Sequence, residues 1–210
     1  MCGVFGFVSK NGSRPNMQTL RKIAAVTMRR GPHAWGMAWV DSAGILRTYK
    51  QTGKIVDSLP LLSMARDAVF IAGHCRYATH GDPANNLNNH PHDGGDSWVV
   101  HNGQIHHYRE IVKRHRLRMR TQCDSEVLGL MIAKFDGSPF DRAYRAVCEA
   151  RGNHPFSMLA LWDDRLITAR MNRQPLHVGE TKGATYLASL ADDLPGSVLE
   201  MPDEEVVEFV

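Results

Sequence analysis

The amino terminus is the feature that most constrains this chain. Cys2 directly follows the initiator Met1, and Gly3–Val8 is an apolar, glycine-punctuated run typical of a buried strand. If Met1 is removed, a thiol and an α-amine belong to one residue. The amine, with a reference pKa of about 7.7–8.0, could act as the base for its own nucleophile. The other interpretation is that Cys2 simply packs as a small apolar side chain.

Three later segments contain the residue types that a cysteine nucleophile needs. The first is 73–81, which follows the apolar run Val69–Ala72 and is therefore expected to open from the end of a buried strand into a loop. Arg76 could clamp a carboxylate through two parallel hydrogen bonds, with Thr79 and His80 as further donors beside it.

The second segment, 99–105, also leads from a strand into a turn. Asn102 offers a side-chain amide, and Gly103 offers a backbone N–H that no Cβ shields, which together suit an oxyanion hole. In the third segment, Asp124 precedes the apolar periodicity of a helix. Its carboxylate could cap that helix or hold a substrate ammonium, and these two roles need different side-chain directions.

Six short motifs occur in order along the chain, and together they resemble the class II glutamine amidotransferase domain, one of the N-terminal nucleophile hydrolases. The motifs are Cys2-Gly3-Val4-Phe5-Gly6, Arg30-Gly31-Pro32-His33-Ala34-Trp35-Gly36, Arg76 through Gly81, His90-Pro91-His92, His101-Asn102-Gly103 and Asp124-Ser125-Glu126. None is specific alone, but six in the family's order are hard to obtain by chance.

The resemblance implies that Cys2 attacks the side-chain amide of glutamine, releases ammonia and forms a glutamyl thioester that water hydrolyses. By position, it also implies that Asn102 and Gly103 form the oxyanion hole. Arg76, with Thr79 and His80, would hold the α-carboxylate, and Asp124 and the Gly103 carbonyl would hold the α-ammonium. Tyr77 would form part of the substrate pocket, and Arg30 would support the nucleophile strand. One cationic and one anionic clamp are what a zwitterionic amino acid requires.

Some positions depart from the family pattern. Cys75 and Tyr77 stand where the family often has Thr and Trp, and His33 or Ala34 stands where Asp is common. These differences leave the hydrolase chemistry intact but open the substrate to question. A hydrolase of another γ-glutamyl amide is therefore the nearest alternative.

The element pattern predicts an α+β fold of hairpin-linked strands covered by helices. Strands are predicted at 3–8, 35–40, 45–51, 68–73, 97–101, 156–162, 165–170, 184–188 and 205–209, and helices at 17–29, 107–115, 125–135 and 139–151. The resemblance adds a four-layer αββα sandwich with Cys2 at the end of a central strand. We expect one domain over 1–210 without an attached synthase, so that a separate synthase subunit would accept the ammonia.

The composition indicates the cellular compartment and the kinds of partner that we expect. The four cysteines have no CxxC spacing, and no apolar run reaches membrane-spanning length, so we expect a cytoplasmic protein without disulfides. The net charge of +3 implies no polyanionic partner. No cofactor is expected.

Two features suggest other functions. His90, His92, His101, His106 and His107 lie within a short stretch, as in a metallohydrolase, but no carboxylate or thiolate stands at ligand spacing to complete a site. The second feature is the basic segment 109–120, which could contact nucleic acid. It has almost no aromatic residues for base stacking, so a solvated face or a docking surface is the preferred interpretation.

Overall fold

The structure is a computed structural model that describes all 210 residues, Met1–Val210. Twelve strands form two antiparallel sheets, with four α-helices around them. The strands are β1 (Gly3–Ser9), β2 (Ala34–Asp41), β3 (Leu46–Thr52), β4 (Ala68–Arg76), β5 (His92–Asp93), β6 (Trp98–Gly103), β7 (Phe156–Leu161), β8 (Leu166–Met171), β9 (His177–Glu180), β10 (Ala184–Ala188), β11 (Ser197–Glu200) and β12 (Glu205–Phe209).

The helices are α1 (Met17–Thr27), α2 (Tyr108–Arg114), α3 (Glu126–Lys134) and α4 (Pro139–Ala150), and 3₁₀ segments span Met28–Arg30, Ile55–Ala65 and Asn86–Asn88. Two helix starts follow from local chemistry. The Asn16 side chain accepts hydrogen bonds from the free backbone N–H groups of Gln18 and Thr19 in the first turn of α1. At α4, Ser138 and Asp141 form a reciprocal capping box with Pro139 in the first turn. No helix is long and apolar enough to cross a membrane.

The first strand lies inside the larger sheet. That sheet has the order β11-β9-β10-β1-β4-β2-β3, and the smaller one has the order β12-β8-β7-β6-β5. Gly3 pairs with Cys75 across β1 and β4. This register places Cys2, one residue before the strand, beside the loop that follows Arg76.

Three hydrophobic clusters separate four layers. Phe5 and Phe7 pack with α1 on the outer face of the larger sheet. Val4 and Val8 point the other way, into the cluster between the two sheets, as the period of a strand requires. A third cluster fills the space between the smaller sheet and α3 and α4. The α+β, four-layer αββα prediction is confirmed.

All nine predicted strands and all four predicted helices are present, with shifted ends. Three strands were not predicted. β5 has two residues, while β9 and β11 have four each and carry little apolar signal, since every residue of β11 is exposed. The 3₁₀ segment around Pro60 was also missed, because it lacks helical periodicity.

Candidate active site

Cys2 lies in a cleft of about 280 Å³ where the ends of both sheets meet. Asn102 and Gly103, from the end of β6, line the same cleft. Gln104 follows them, and four of the remaining lining residues come from segments that the sequence did not connect to the site: His106, His154, Pro155 and Gln174. The fold therefore brings together the proposed nucleophile and the two proposed oxyanion donors.

The Cys2 thiol is held by the backbone of Tyr77. The Tyr77 N–H donates to Cys2 Sγ at 3.2 Å, and the thiol lies 3.4 Å from the Tyr77 carbonyl oxygen, which it can reach as a donor. Burial raises the pKa of the Cys2 thiol above its ordinary value of 9.0. The Tyr77 hydrogen bond, the positive amino terminus and Arg76 act in the opposite direction, and Asp124 raises the pKa further. The thiol thus needs a nearby base for activation at neutral pH.

The backbone of Cys2 is fixed from the other side. Arg30 Nε donates to the Cys2 carbonyl oxygen at 2.7 Å. Gly3 permits this close packing, because a Cβ at that position would lie 2.6 Å from the Thr27 side chain. Arg30 therefore stands where a supporting residue was expected, beside the nucleophile strand.

Ser189 links the nucleophile strand to Asn102. Its backbone N–H donates to the Val4 carbonyl oxygen, and its hydroxyl accepts from the Val4 N–H at 2.9 Å. Asn102 Nδ2 donates to the same hydroxyl at 3.4 Å. No sequence signal marked Ser189, because a single serine after a strand is common in loops.

Gly103 is confined by its neighbours. A Cβ there would lie 2.6 Å from the Pro155 carbonyl oxygen and 2.8 Å from His101 Nε2. Glycine at this position thus allows the end of β6 to pass close to the 155 segment at the edge of the cleft.

Arg76 is buried and does not line the cleft. Its guanidinium donates to Asn89 Oδ1 at 2.8 Å, to the His80 carbonyl oxygen and to the Gly81 carbonyl oxygen at 3.0 Å. In the structure it therefore organises the loop that carries Tyr77 and Thr79. A direct contact with substrate stays a prediction.

The other loop residues divide between two clefts. Tyr77 and Thr79 line the Cys2 cleft, whereas His80 lines a neighbouring one with Tyr108. His33, which sequence reasoning treated only as a departure, accepts a hydrogen bond on Nδ1 from the Ala78 N–H at 3.0 Å. This contact adds a second anchor to the loop.

Asp124 is buried, and its Oδ2 accepts a 2.7 Å hydrogen bond from the Ile105 N–H. Ser125 occupies the N-cap position of α3, and no side chain forms a capping hydrogen bond at this end of the helix. The helix-cap interpretation of Asp124 is therefore wrong. Its second oxygen, Oδ1, lies 3.9 Å from His80 Nδ1.

The five histidines of the 90–107 stretch do not form one group. His106 packs against His154 at the cleft, with ring centroids 4.0 Å apart and the rings tilted by 51°, and His107 forms a hydrogen bond with the Glu149 carbonyl oxygen. His90, His92 and His101 are buried beside His74.

One part of the argument against a metal was wrong. A thiol does complete a possible ligand set, because Cys123 lies within 4.8 Å of ligand atoms of both His90 and His92. Sequence spacing could not reveal this, since Cys123 comes from the loop before α3 and meets the histidines only in the fold.

The basic segment 109–120 is largely exposed. Arg114 pairs with Glu149 at 2.8 Å, and Arg120 lies 3.6 Å from Asp93. Exposure with partial pairing fits a solvated face. A role in nucleic-acid binding is untested.

Comparisons with known proteins agree with this geometry. The family model described as glutamine amidotransferase domain matches residues 74–195. The chain is 31% identical to glutamine–fructose-6-phosphate aminotransferase (isomerizing) of Geobacillus kaustophilus, over 99% of the chain and 35% of the relative. It is 33% identical to the Thermotoga maritima protein of the same name, over 90% of the chain and 32% of the relative. The chain thus spans about a third of the length of these curated relatives.

Solved structures share the fold. The glutamine phosphoribosylpyrophosphate amidotransferase of B. subtilis superimposes with a TM-score of 0.80 at 21% identity, over 99% of this chain and 47% of that one. A glutamine aminotransferase class-II domain protein from Silicibacter pomeroyi gives a TM-score of 0.65 at 15% identity, covering 99% and 94%.

Proposed function

Since the chain belongs to the family of glutamine amidotransferase domains, we propose that it releases ammonia from the side-chain amide of glutamine through a thioester on Cys2. The observation that carries the proposal is the shared cleft, in which the Cys2 thiol meets Asn102 and Gly103. A nucleophile and oxyanion donors converging on one opening are the requirements of acyl transfer.

The active form lacks Met1. Met1 is 74% exposed and lines the cleft, so its loss opens the site and leaves the α-amine on Cys2 itself. While Met1 is present, the Cys2 nitrogen is an amide and cannot accept a proton. The released amine is then the nearest base for a thiol whose pKa burial raises.

The reaction follows from these groups. The amine takes the thiol proton, sulfur adds to the amide carbon, and the oxyanion accepts hydrogen bonds from the Asn102 side chain and the Gly103 N–H. The resulting ammonium returns the proton to the departing nitrogen, so that ammonia leaves and a thioester remains. Water, activated by the same amine, then releases glutamate and restores the thiol.

The two charged ends of the substrate need separate partners. Asp124 is a buried carboxylate whose Oδ1 has the Cys123 thiol and His80 Nδ1 as its neighbours, each at 3.9 Å, and it suits the α-ammonium. The 77–81 loop suits the α-carboxylate, because Thr79 and His80 offer hydrogen-bond donors. Arg76 fixes this loop by donating to the His80 and Gly81 carbonyl oxygens.

The test is an assay of the purified chain with glutamine. We expect glutamate and ammonia in equal amounts, and covalent labelling of Cys2 by a glutamine-analogue diazo-ketone. Cys148→Ser is the matched control, because Cys148 is the exposed cysteine away from the cleft. Labelling of Cys75 instead of Cys2 would overturn the assignment of the nucleophile.

A second substrate class has one observation in its favour. The packed rings of His106 and His154, together with Pro155, line the cleft that contains Cys2. A substituent on the amide nitrogen of a γ-glutamyl compound would find an aromatic surface there. Comparing kcat/KM for glutamine with values for γ-glutamyl amides separates the two candidates.

We further propose that a synthase unit outside residues 1–210 consumes the ammonia. Support comes from the curated relatives, which extend far beyond the part matched here. The chain incubated with glutamine and fructose 6-phosphate should release all its ammonia into solution. Formation of an amino sugar by this chain alone would contradict the proposal.

A further inference from the structure

Buried imidazoles without partners mark a second site, away from the Cys2 cleft. His90 is buried, and neither of its ring nitrogens has a hydrogen-bond partner. His92 is buried as well, and its Nε2 has no partner. Buried polar atoms without partners are rare in folded proteins, and each calls for an explanation, such as local strain, a buried water or a bound ion.

A thiol completes the set. Cys123 is buried, and its ligand atom lies within 4.8 Å of those of His90 and His92, which are themselves this close to each other. Two imidazoles and one thiolate are a ligand set for borderline-soft ions such as Zn²⁺. We propose that His90, His92 and Cys123 bind one Zn²⁺-class metal ion through three protein ligands, at a site separate from the Cys2 cleft.

The protonation states of the two histidines suit metal binding, whereas the thiol must lose its proton to the ion. Burial keeps the pKa values of both histidines well below their ordinary value, so the imidazoles are neutral and offer lone pairs. Burial also raises the pKa of the Cys123 thiol to about 12, so the metal must displace its proton. Binding therefore releases one proton per ion, which passes to the buffer as a metal–sulfur bond replaces the sulfur–hydrogen bond.

The surroundings provide access and charge balance. His92 lines a surface cleft together with Lys50 and Glu126, which gives an ion a path to the ligands. Lys50 donates to the carbonyl oxygens of Asn89 and Pro91, on either side of His90, and so holds the histidine segment. The buried Glu126 carboxylate, whose partners are neutral donors of Arg120 and Thr121, brings negative charge to this region, whereas Lys50 and Arg76 bring positive charge near His92.

The location gives the ion a mechanical consequence. Cys123 directly precedes Asp124, and the two histidines flank Pro91 in the segment before β6. A bound ion would join these two segments, and it would fix the loop that carries the proposed ammonium clamp.

The experiment uses the full chain with Cys2→Ser, so that the nucleophile itself cannot bind metal. Chelator-treated protein is titrated with Zn²⁺ and followed by native mass spectrometry, and a parallel titration with Co²⁺ is followed by absorption. We expect one ion per chain and a thiolate-to-cobalt charge-transfer band. Both should be lost in Cys123→Ser and in His92→Asn, and both should persist in the controls Cys148→Ser and His106→Asn.

Two results would overturn the proposal: the absence of a stoichiometric ion in the Cys2→Ser chain, or binding that survives Cys123→Ser. If the Cys123 variant does not fold, the cobalt spectrum of the chain with intact ligands decides. A bound Co²⁺ without a thiolate band would then exclude Cys123 and reject the site.

Discussion

Cys2 and Cys123 show how the same side chain acquires different chemistry in two regions of one fold. Burial raises the pKa of both thiols. Cys2, however, borders an open cleft and receives a backbone hydrogen bond from Tyr77, whereas Cys123 is enclosed beside two imidazoles. The first arrangement leaves sulfur free to attack a carbon, and the second directs it toward a cation.

Asp124 lies between the two regions. Its charge contributes to raising the pKa of both thiols. A cation near this carboxylate, either a substrate ammonium or a metal ion on Cys123, would offset that effect. The two regions are therefore coupled through one buried charge.

The largest expected effect is on the nucleophile. Cys2→Ser should lower kcat by roughly 10⁴-fold or more, because a hydroxyl is far harder to ionise than a thiol. Steady-state glutaminase kinetics measure the loss, and an unchanged melting temperature shows that the fold is intact. Cys123→Ser should retain most of its kcat, and a loss as large as that of Cys2→Ser would erase the contrast between the two cysteines.

Retention of Met1 should have the next largest effect. A chain that keeps Met1 lacks the amine base, and general base catalysis contributes roughly 10²–10⁴-fold. Preparations with different degrees of processing, quantified by intact-protein mass spectrometry, should show activity proportional to the processed fraction. Full activity in uniformly unprocessed protein would refute the amine as base.

Asn102→Ala should lower kcat by roughly 10²–10³-fold with a smaller change in KM, since an oxyanion donor acts on charge that appears in the transition state. The matched control is Ser189→Ala, which removes the hydroxyl that Asn102 contacts but keeps the amide. Asn-Gly is also a common turn sequence, and a purely structural Asn102 predicts lost melting temperature together with lost activity.

The sequence predicted more of the fold than of the site. β1 and β4 were predictable because their apolar runs are long and strongly patterned. Ser189 and Cys123 were not, since their partners lie far away along the chain and only the packing of the two sheets brings them together. The motifs singled out Arg76, but they could not show that the loop carbonyls already occupy its guanidinium.

Asp124→Asn removes the buried charge that acts on both Cys2 and Cys123. We expect KM for glutamine to rise roughly 10–100-fold, consistent with about 1.5–3 kcal/mol for a hydrogen bond to a charged group. Asparagine can still accept from the Ile105 N–H, so the loop should stay in place. A glutamine analogue that lacks the α-ammonium should be insensitive to this variant, and equal sensitivity would exclude Asp124 as the ammonium partner.

The smallest effect, taken per pH unit, is expected on the stability of the region around the buried histidines. Burial lowers the pKa of His101 from 6.5 to about 4, although Asp124 opposes the shift. Below pH 6.5 the unfolded chain therefore binds a proton at this residue that the folded chain does not. The contribution of His101 to the free energy of unfolding should fall by up to about 1.4 kcal/mol per pH unit until the pH approaches about 4. His74, His90 and His92, whose pKa values burial also lowers, add to the total slope. Urea unfolding from pH 7 to pH 4 measures this slope, and His101→Gln should flatten it by one proton.

His106→Asn is the control, because His106 is exposed in the folded chain. An unchanged slope in His101→Gln would show that the acid sensitivity comes from other groups.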